Sequence, residues 1–320
     1  MQPSLYGVIP VIDNDAVLEA VDARTAIDRT RAAFERHARG QWEMPAKVYL
    51  DSPPHGDFRA MPARGDGLAL LKWVTSFPGN PERGLPVVAG AVVVSDAASG
   101  ELVAIMDCRA VTWLRTGAAA AVSALALARE DAAGVGIIGC GVNGAWSARC
   151  LAAAGFGPGV CSDLRAETAR GLAEELGWEP GSREEAAAQG VVVTVTPGDA
   201  PVLRASELRA GQHLAVLGAD AHGKAEVEPA VIERCSLFCD EWEQASGGGE
   251  LAAAAAAGRI RREGVVQLGD VLIGAAQGRR SADEVTLFDS TGLAIQDLAV
   301  AAAVVEAWRD GRIEAETVRL

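Results

Sequence analysis

The chain has 320 residues, 49% of them apolar, and a formal net charge of -14. That length suits two domains or one large one, with ample material for a core. The charge argues against nucleic acid as a partner, because phosphate binding needs clustered Lys and Arg.

Residues 15–39 read as an amphipathic helix whose buried stripe is Val17, Ala20, Val21, Ala26, Ile27, Ala33 and Phe34. Residues 40–115 change character, with short β-type runs at 47–50, 58–61, 68–74, 87–94 and 102–107 and turn signals such as Ala98-Ser-Gly100. They predict a mostly antiparallel sheet. An alanine-rich helix follows over 116–129. Strands are then expected near 135–139, 158–162, 191–195, 213–217 and 236–240, with helices around 145–154, 166–176, 182–188 and 228–234. Such alternation implies a parallel sheet. The run of alanines at 252–257 predicts a helix, and the apolar helix 295–308 is expected to pack back onto the first domain. No run approaches the roughly 18 apolar residues of a membrane span. Residues 1–6 lack a basic segment followed by an apolar one. The expectation is a soluble, cytoplasmic protein with neither membrane nor nucleic-acid partners.

The most informative stretch is the apolar run 135–138 leading into Gly139-x-Gly141-x-x-Gly144 and a helical pattern, with Asp163 closing the next apolar run. Gly139 allows a tight turn, Gly141 allows the backbone to approach a pyrophosphate, and Gly144 allows helix and strand to pack closely. The helix N-terminus offers free N–H groups to phosphate. The glycines alone are weak evidence; strand, helix and acid in register make this a dinucleotide-binding βαβ unit. Val142 and Asn143 would lie along the pyrophosphate with the glycines. Asp163 would bond the ribose hydroxyls and repel a 2′-phosphate, favouring NAD over NADP, whereas Arg165 nearby could accommodate that phosphate. Thr194, Thr196 and Pro197 end an apolar strand and are expected on the adenine–ribose side. Thr116 reads as a phosphate contact at a helix start or as a plain N-cap.

Lys47, Arg59, Lys72 and Arg115 are cations in otherwise apolar or β-patterned runs. Each is either an outward-facing residue or a site residue, since Lys and Arg are mostly exposed. Lys72 stands between Leu70, Leu71, Trp73 and Val74. Burial there would lower its pKa and suit it to proton donation. Asp220 follows the strand at 213–217, at the strand end where such sheets bind ligands. It is either a general base or a turn residue. His222 beside it reads as a loop residue. The histidines show no metal-ligand spacing, and Cys108, Cys140, Cys150, Cys161, Cys235 and Cys239 contain no CxxC pair. Reduced buried thiols and no metal are expected.

Further strings carry a family resemblance: Met44-Pro-Ala-Lys-Val-Tyr-Leu50, Phe58-Arg-Ala-Met-Pro62, Leu71-Lys-Trp-Val74, Pro78-Gly-Asn-Pro81, Arg115-Thr-Gly-Ala118, Gly218-Ala-Asp220 and Asp289-Ser-Thr-Gly-Leu-Ala-Ile-Gln-Asp297. With the glycine motif they resemble the ornithine cyclodeaminase/mu-crystallin family, most of all its archaeal-type alanine dehydrogenases. The resemblance implies an α/β protein. Residues 1–115 with 293–320 would form an α+β substrate-binding and dimerisation domain built from both chain ends, and 116–292 a Rossmann domain. It implies a homodimer with the active site in the cleft. Lys72 and Arg115 would contact the substrate carboxylate and Lys47 and Arg59 would complete a cationic pocket. Asp220 would act as base, and Ser290, Thr291 and Gly292 would meet the nicotinamide end. The activity implied is NAD-dependent oxidative deamination of L-alanine to pyruvate and ammonium. Related alternatives are an ornithine or lysine cyclodeaminase with tightly bound NAD, an NAD(P)H-dependent ketimine reductase, and a non-catalytic binding protein. Lys47, where cyclodeaminases often carry Arg, favours the alanine dehydrogenase branch.

Overall fold

Two compact units divide the chain: residues up to Arg115 together with Leu293–Leu320, and Thr116–Gly292. The structure, a computed structural model, describes residues 7–197, 200–220 and 223–320.

Among the described residues of the first unit, β1 (Ile9–Ile12), β2 (Val48–Ser52), β3 (Gly56–Gly65), β4 (Leu68–Ser76), β5 (Val88–Asp96) and β6 (Leu102–Asp107) form one sheet with the C-terminal strand Glu316–Val318. Their order is C-terminal strand, β1, β6, β5, β4, β3, β2. All neighbours are antiparallel except β1 and β6. Period-two alternation buries Met61, Ala63, Leu70, Lys72, Val74, Val92 and Val94 on one face. The helices Ala23–Ala38 and Ala294–Arg309 pack on each other, and the C-terminal one lies on β3 and β4, as its hydrophobicity requires. The opposite face leaves Val48, Leu50, Leu71 and Trp73 exposed.

The single helix expected over 15–39 is two, Asn14–Ala20 and Ala23–Ala38. The Asp22 carboxylate accepts the Thr25 N–H at 2.7 Å and caps the second helix, while Val21 is extended. An acid in capping geometry competes with helix continuation. The helix expected from Thr116 begins at Cys108, where the Asp107 carboxylate accepts the Arg109 N–H at 2.7 Å. Thr116 therefore lies inside a helix and is no N-cap. Contrary to the run-length reading, this 20-residue helix is apolar and long enough to cross a membrane, but 78% of its most apolar window is buried inside the protein, as in a core helix.

In the second unit the strands are β7 (Val135–Ile138), β8 (Gly159–Ser162), β9 (Glu179–Pro180), β10 (Val191–Thr194), β11 (His213–Val216), β12 (Ser236–Cys239), β13 (Val265–Gln267) and β14 (Thr286–Asp289). They form a wholly parallel sheet in the order β13, β12, β14, β11, β10, β7, β8, β9. The central strands β7, β10, β11 and β14 are buried along their whole length, without alternation. The sheet grows from β7 toward β8 in one direction and toward β10 in the other. The carboxyl ends of β7 and β10 thus flank the switch point where doubly wound folds bind ligands. Strand β14, inserted between β11 and β12, and the short edges β9 and β13 were not expected. The alanine run forms the helix Ala252–Ala256. All six cysteines are free thiols.

Removing the Asp22 cap should expose the start of the long helix. Asp22→Ala is expected to lower stability by about 1 kcal/mol, read as a reduced denaturation midpoint.

Candidate active site

In the first unit, the pleat of β4 turns Lys72 inward beside Met61 of β3 and Val92 of β5. Its side chain is 1% exposed. The ammonium donates to Asp297 Oδ1 at 2.8 Å and Thr112 Oγ1 at 2.7 Å. Arg115 Nε stands 3.5 Å from the same Asp297 oxygen. Burial pushes the Lys72 pKa below its ordinary value, the Asp297 charge opposes that, and the Arg115 charge reinforces it. The lowering expected from the apolar neighbours is present, but beside a buried counter-ion.

Arg59 pairs with Val74 across the ladder and lies on the same buried face as Lys72. Its guanidinium binds Asp57 through two bonds, at 2.6 and 3.2 Å, and lies 5.4 Å from the centre of the Tyr49 ring. Lys47 is half-buried just ahead of β2. Lys72 and Arg115 thus share one anion, whereas Arg59 has its own.

The second unit holds the glycine motif. Gly139 has φ +95°, a left-handed turn closed to other residues. A Cβ on Gly144 would fall 1.9 Å from the Gly139 carbonyl oxygen, whereas one on Gly141 would meet nothing within 4 Å. The first glycine contact packs helix Val142–Ala153 onto β7; the second leaves room for a pyrophosphate beside the helix N-terminus. Val142 is exposed there, and the Asn143 side-chain oxygen is buried without a protein partner. Asp163, at the tip of β8, accepts the Cys140 and Arg165 N–H groups at 2.8 Å each. Arg165 is largely exposed, with Nε 3.9 Å from Asp163.

Several of the other expected cofactor residues are held by buried acids. Thr194 is buried and donates to Glu226 Oε2 at 2.9 Å, so it supports the strand end and does not line a surface. Thr196 donates to Glu226 Oε1 through both N–H (2.6 Å) and hydroxyl (2.8 Å), leaving Pro197 exposed beyond it. Thr291 Oγ1 and the Gly292 N–H donate to Asp240, at 3.1 and 2.8 Å, and Ser290 reaches it at 3.4 Å. The Thr116 hydroxyl is buried without a protein partner. Asp220 follows β11, half-buried, with Lys224 Nζ at 2.7 Å. His222 lies outside the described residues.

Five buried acids among the described residues escaped the sequence reading as site residues: Asp297, Glu226, Asp240, Glu250 and Asp289. Asp297 did carry a signal, as an acid in the first turn of an apolar helix. Glu226 joins the ends of two strands, since Gly218 N–H also donates to it at 2.6 Å. Glu250 in turn accepts the N–H groups of Glu226 and Val227 at 2.8 and 3.0 Å. Burial pushes both carboxyls up, Glu250 to about 7. Asp289, buried near Asp240, is raised well above the usual range for the same reason. Among the described residues no group of three or more His, Cys, Asp or Glu is arranged to hold a metal ion.

A doubly wound parallel sheet with an open glycine turn at its switch point defines a dinucleotide-binding protein of the Rossmann class. The ornithine cyclodeaminase/mu-crystallin family is matched over residues 11–312, and the chain belongs to that family. It is 38% identical to an alanine dehydrogenase of Archaeoglobus fulgidus over 92% of this chain and 94% of that one. Its structure is similar to that of an archaeal alanine dehydrogenase dimer with bound NAD, with a TM-score of 0.93 and 36% identity, covering 98% of this chain and 100% of that one. It is also similar to the iminosuccinate reductase of Paracoccus denitrificans in complex with NAD+, with a TM-score of 0.89 and 30% identity, covering 98% of this chain and 100% of that one.

Glu226→Ala would strand the Thr196 and Gly218 N–H groups. It should cost about 2–4 kcal/mol of stability in denaturant titration, and weaken dinucleotide binding about tenfold, near 1.4 kcal/mol, in a fluorescence titration.

Proposed function

We propose that this protein is an NAD-dependent L-alanine dehydrogenase, converting alanine and water to pyruvate and ammonium, reversibly. Membership of its family makes it an NAD-dependent oxidoreductase. The observation that carries the finer reading is the buried pair Lys72 and Arg115 on a single carboxylate, in a chain similar to an alanine dehydrogenase over 92% of its length. Two cations and one anion leave a net positive charge in a dry site, which suits a small carboxylate.

NAD+, when bound, supplies the acceptor for the hydride leaving the substrate Cα. Gly139, Gly141 and Gly144 would hold its pyrophosphate, with Val142 and Asn143 beside them. Asp163 has lone pairs left for ribose hydroxyls, and its charge disfavours a 2′-phosphate. Arg115 and Lys72 would bind and orient the substrate carboxylate. Lys72, its pKa lowered by burial, would also move a proton at the developing carbonyl oxygen. Asp220 would take a proton from the substrate amine, lose it to solvent, take a second from the attacking water and return that one to the leaving ammonia.

The similarity to iminosuccinate reductase favours a second reading, reduction of an imine by the same residues. That substrate carries two carboxylates, and the engagement of Arg59 by Asp57 weighs against a second anion. Absorbance of NADH with alanine, aspartate and ornithine, in both directions and with both cofactors, separates the readings. Alanine with NAD+ should give NADH. Ammonia from ornithine without net NADH would instead mean cyclodeamination. Lys72→Ala and Asp220→Asn should each lower kcat/KM for alanine by about 100-fold or more; unchanged values would remove those roles.

The exposed apolar sheet face of Val48, Leu50, Leu71 and Trp73, with Phe58 stacked on Trp73, suits a contact between two copies of the chain. The similar alanine dehydrogenase is a dimer. Trp73→Glu should shift the protein from dimer to monomer in sedimentation velocity.

A further inference from the structure

We propose that Asp297 and Thr112 are positioning residues that hold the Lys72 ammonium by two of its three N–H groups, leaving the third as its direction toward substrate. The inference rests on the reading that Lys72 acts on the substrate, and assigns roles to two residues which that reading leaves unexplained.

A count of protons fixes the direction of both bonds. The Thr112 hydroxyl has one, and it is donated to the Cys108 carbonyl at 2.6 Å. At Lys72, Thr112 Oγ1 must therefore be the acceptor, at 2.7 Å. Asp297 Oδ1, a carboxylate oxygen, accepts a second proton at 2.8 Å. Neither bond can reverse, so the two anchors fix the amine's orientation as well as its position. A charged Lys72 then offers a donor along the remaining direction. A neutral Lys72 on the same anchors would present its lone pair there instead. The protonation state thus decides whether this site gives or accepts a proton at one fixed vector.

The charged groups facing Lys72 decide that state. Asp297 comes from the C-terminal helix, and Arg115 and Cys108 from the helix Cys108–Leu127. The Arg59–Asp57 pair lies on the same sheet face. Burial pushes the Cys108 thiol up to about 11, so it stays neutral near pH 7. Asp57 is matched by Arg59. Asp297 is left as the anion opposing both burial and Arg115.

The test uses the full-length enzyme in the aminating direction, with NADH, pyruvate and ammonium, where the carbonyl oxygen must gain a proton. If Lys72 works as a donor, activity falls as pH rises through its pKa. Removing the neighbouring anion lowers that pKa, so Asp297→Asn should move the high-pH limb of kcat/KM toward lower pH by about one unit or more and cut kcat on the order of 100-fold. Thr112→Val should lower kcat about tenfold with a smaller change in KM, and Thr112→Ser should restore it. NADH fluorescence titration checks that each variant still binds the dinucleotide. Should Asp297→Asn fail to fold, the Thr112→Val and Thr112→Ser pair decides. Wild-type pH profiles in Asp297→Asn and wild-type kcat in Thr112→Val, with Lys72→Ala inactive, would overturn the positioning roles alone. Full activity in Lys72→Ala would overturn the reading beneath them.

Discussion

An ammonium with 1% of its surface exposed is the constraint around which the first unit is built. Desolvating a lysine costs several kcal/mol, and a buried ion pair returns that cost only with close geometry and every hydrogen bond made. Here the partner lies 225 residues away in sequence. The sheet supplies the cation, the C-terminal helix supplies the anion, and the helix from Cys108 supplies the hydroxyl and a second cation. Apolar residues of similar volume would hold the same elements together at least as well. Stability alone therefore does not account for these charges.

The second unit uses buried carboxylates for another purpose. Glu226 collects donors from Thr194, Thr196 and Gly218, and Glu250 collects the backbone of Glu226 and Val227. Asp240 does the same for Thr291 and Gly292. Strand ends in a parallel sheet leave backbone N–H groups without ladder partners, and they sit where ligands bind. Buried acids supply those partners here and tie the turns to the strand ends.

What the sequence made legible was whatever local physics determines. The glycine motif, the alternation of β3 to β6 and the continuous apolar runs of the parallel strands all follow from neighbours a few residues apart. The cations Lys72 and Arg115 stood out because they break an apolar pattern, but only the family resemblance made them site residues. Their shared anion could not be nominated, because Asp297 meets them only after folding. Glu226 was illegible for the same reason: its partners lie 8 to 32 residues away. Thr194 and Thr196 were placed on the right strand end, but alternation in a strand buried on both faces does not tell which hydroxyls turn inward. The helix break at Asp22 was written locally, in an acid at a capping position, and the longer hydrophobic period concealed it.

The order in which the chain is made follows from its division into units. Strands β1 to β6 precede the whole of Thr116–Gly292 in the chain, yet the helix that covers their apolar face follows it. The nucleotide unit is one uninterrupted segment and can close as soon as it emerges. The unit begun first is thus completed last, and until then the nascent sheet carries an uncovered hydrophobic face with a lysine at its centre still hydrated and unmatched.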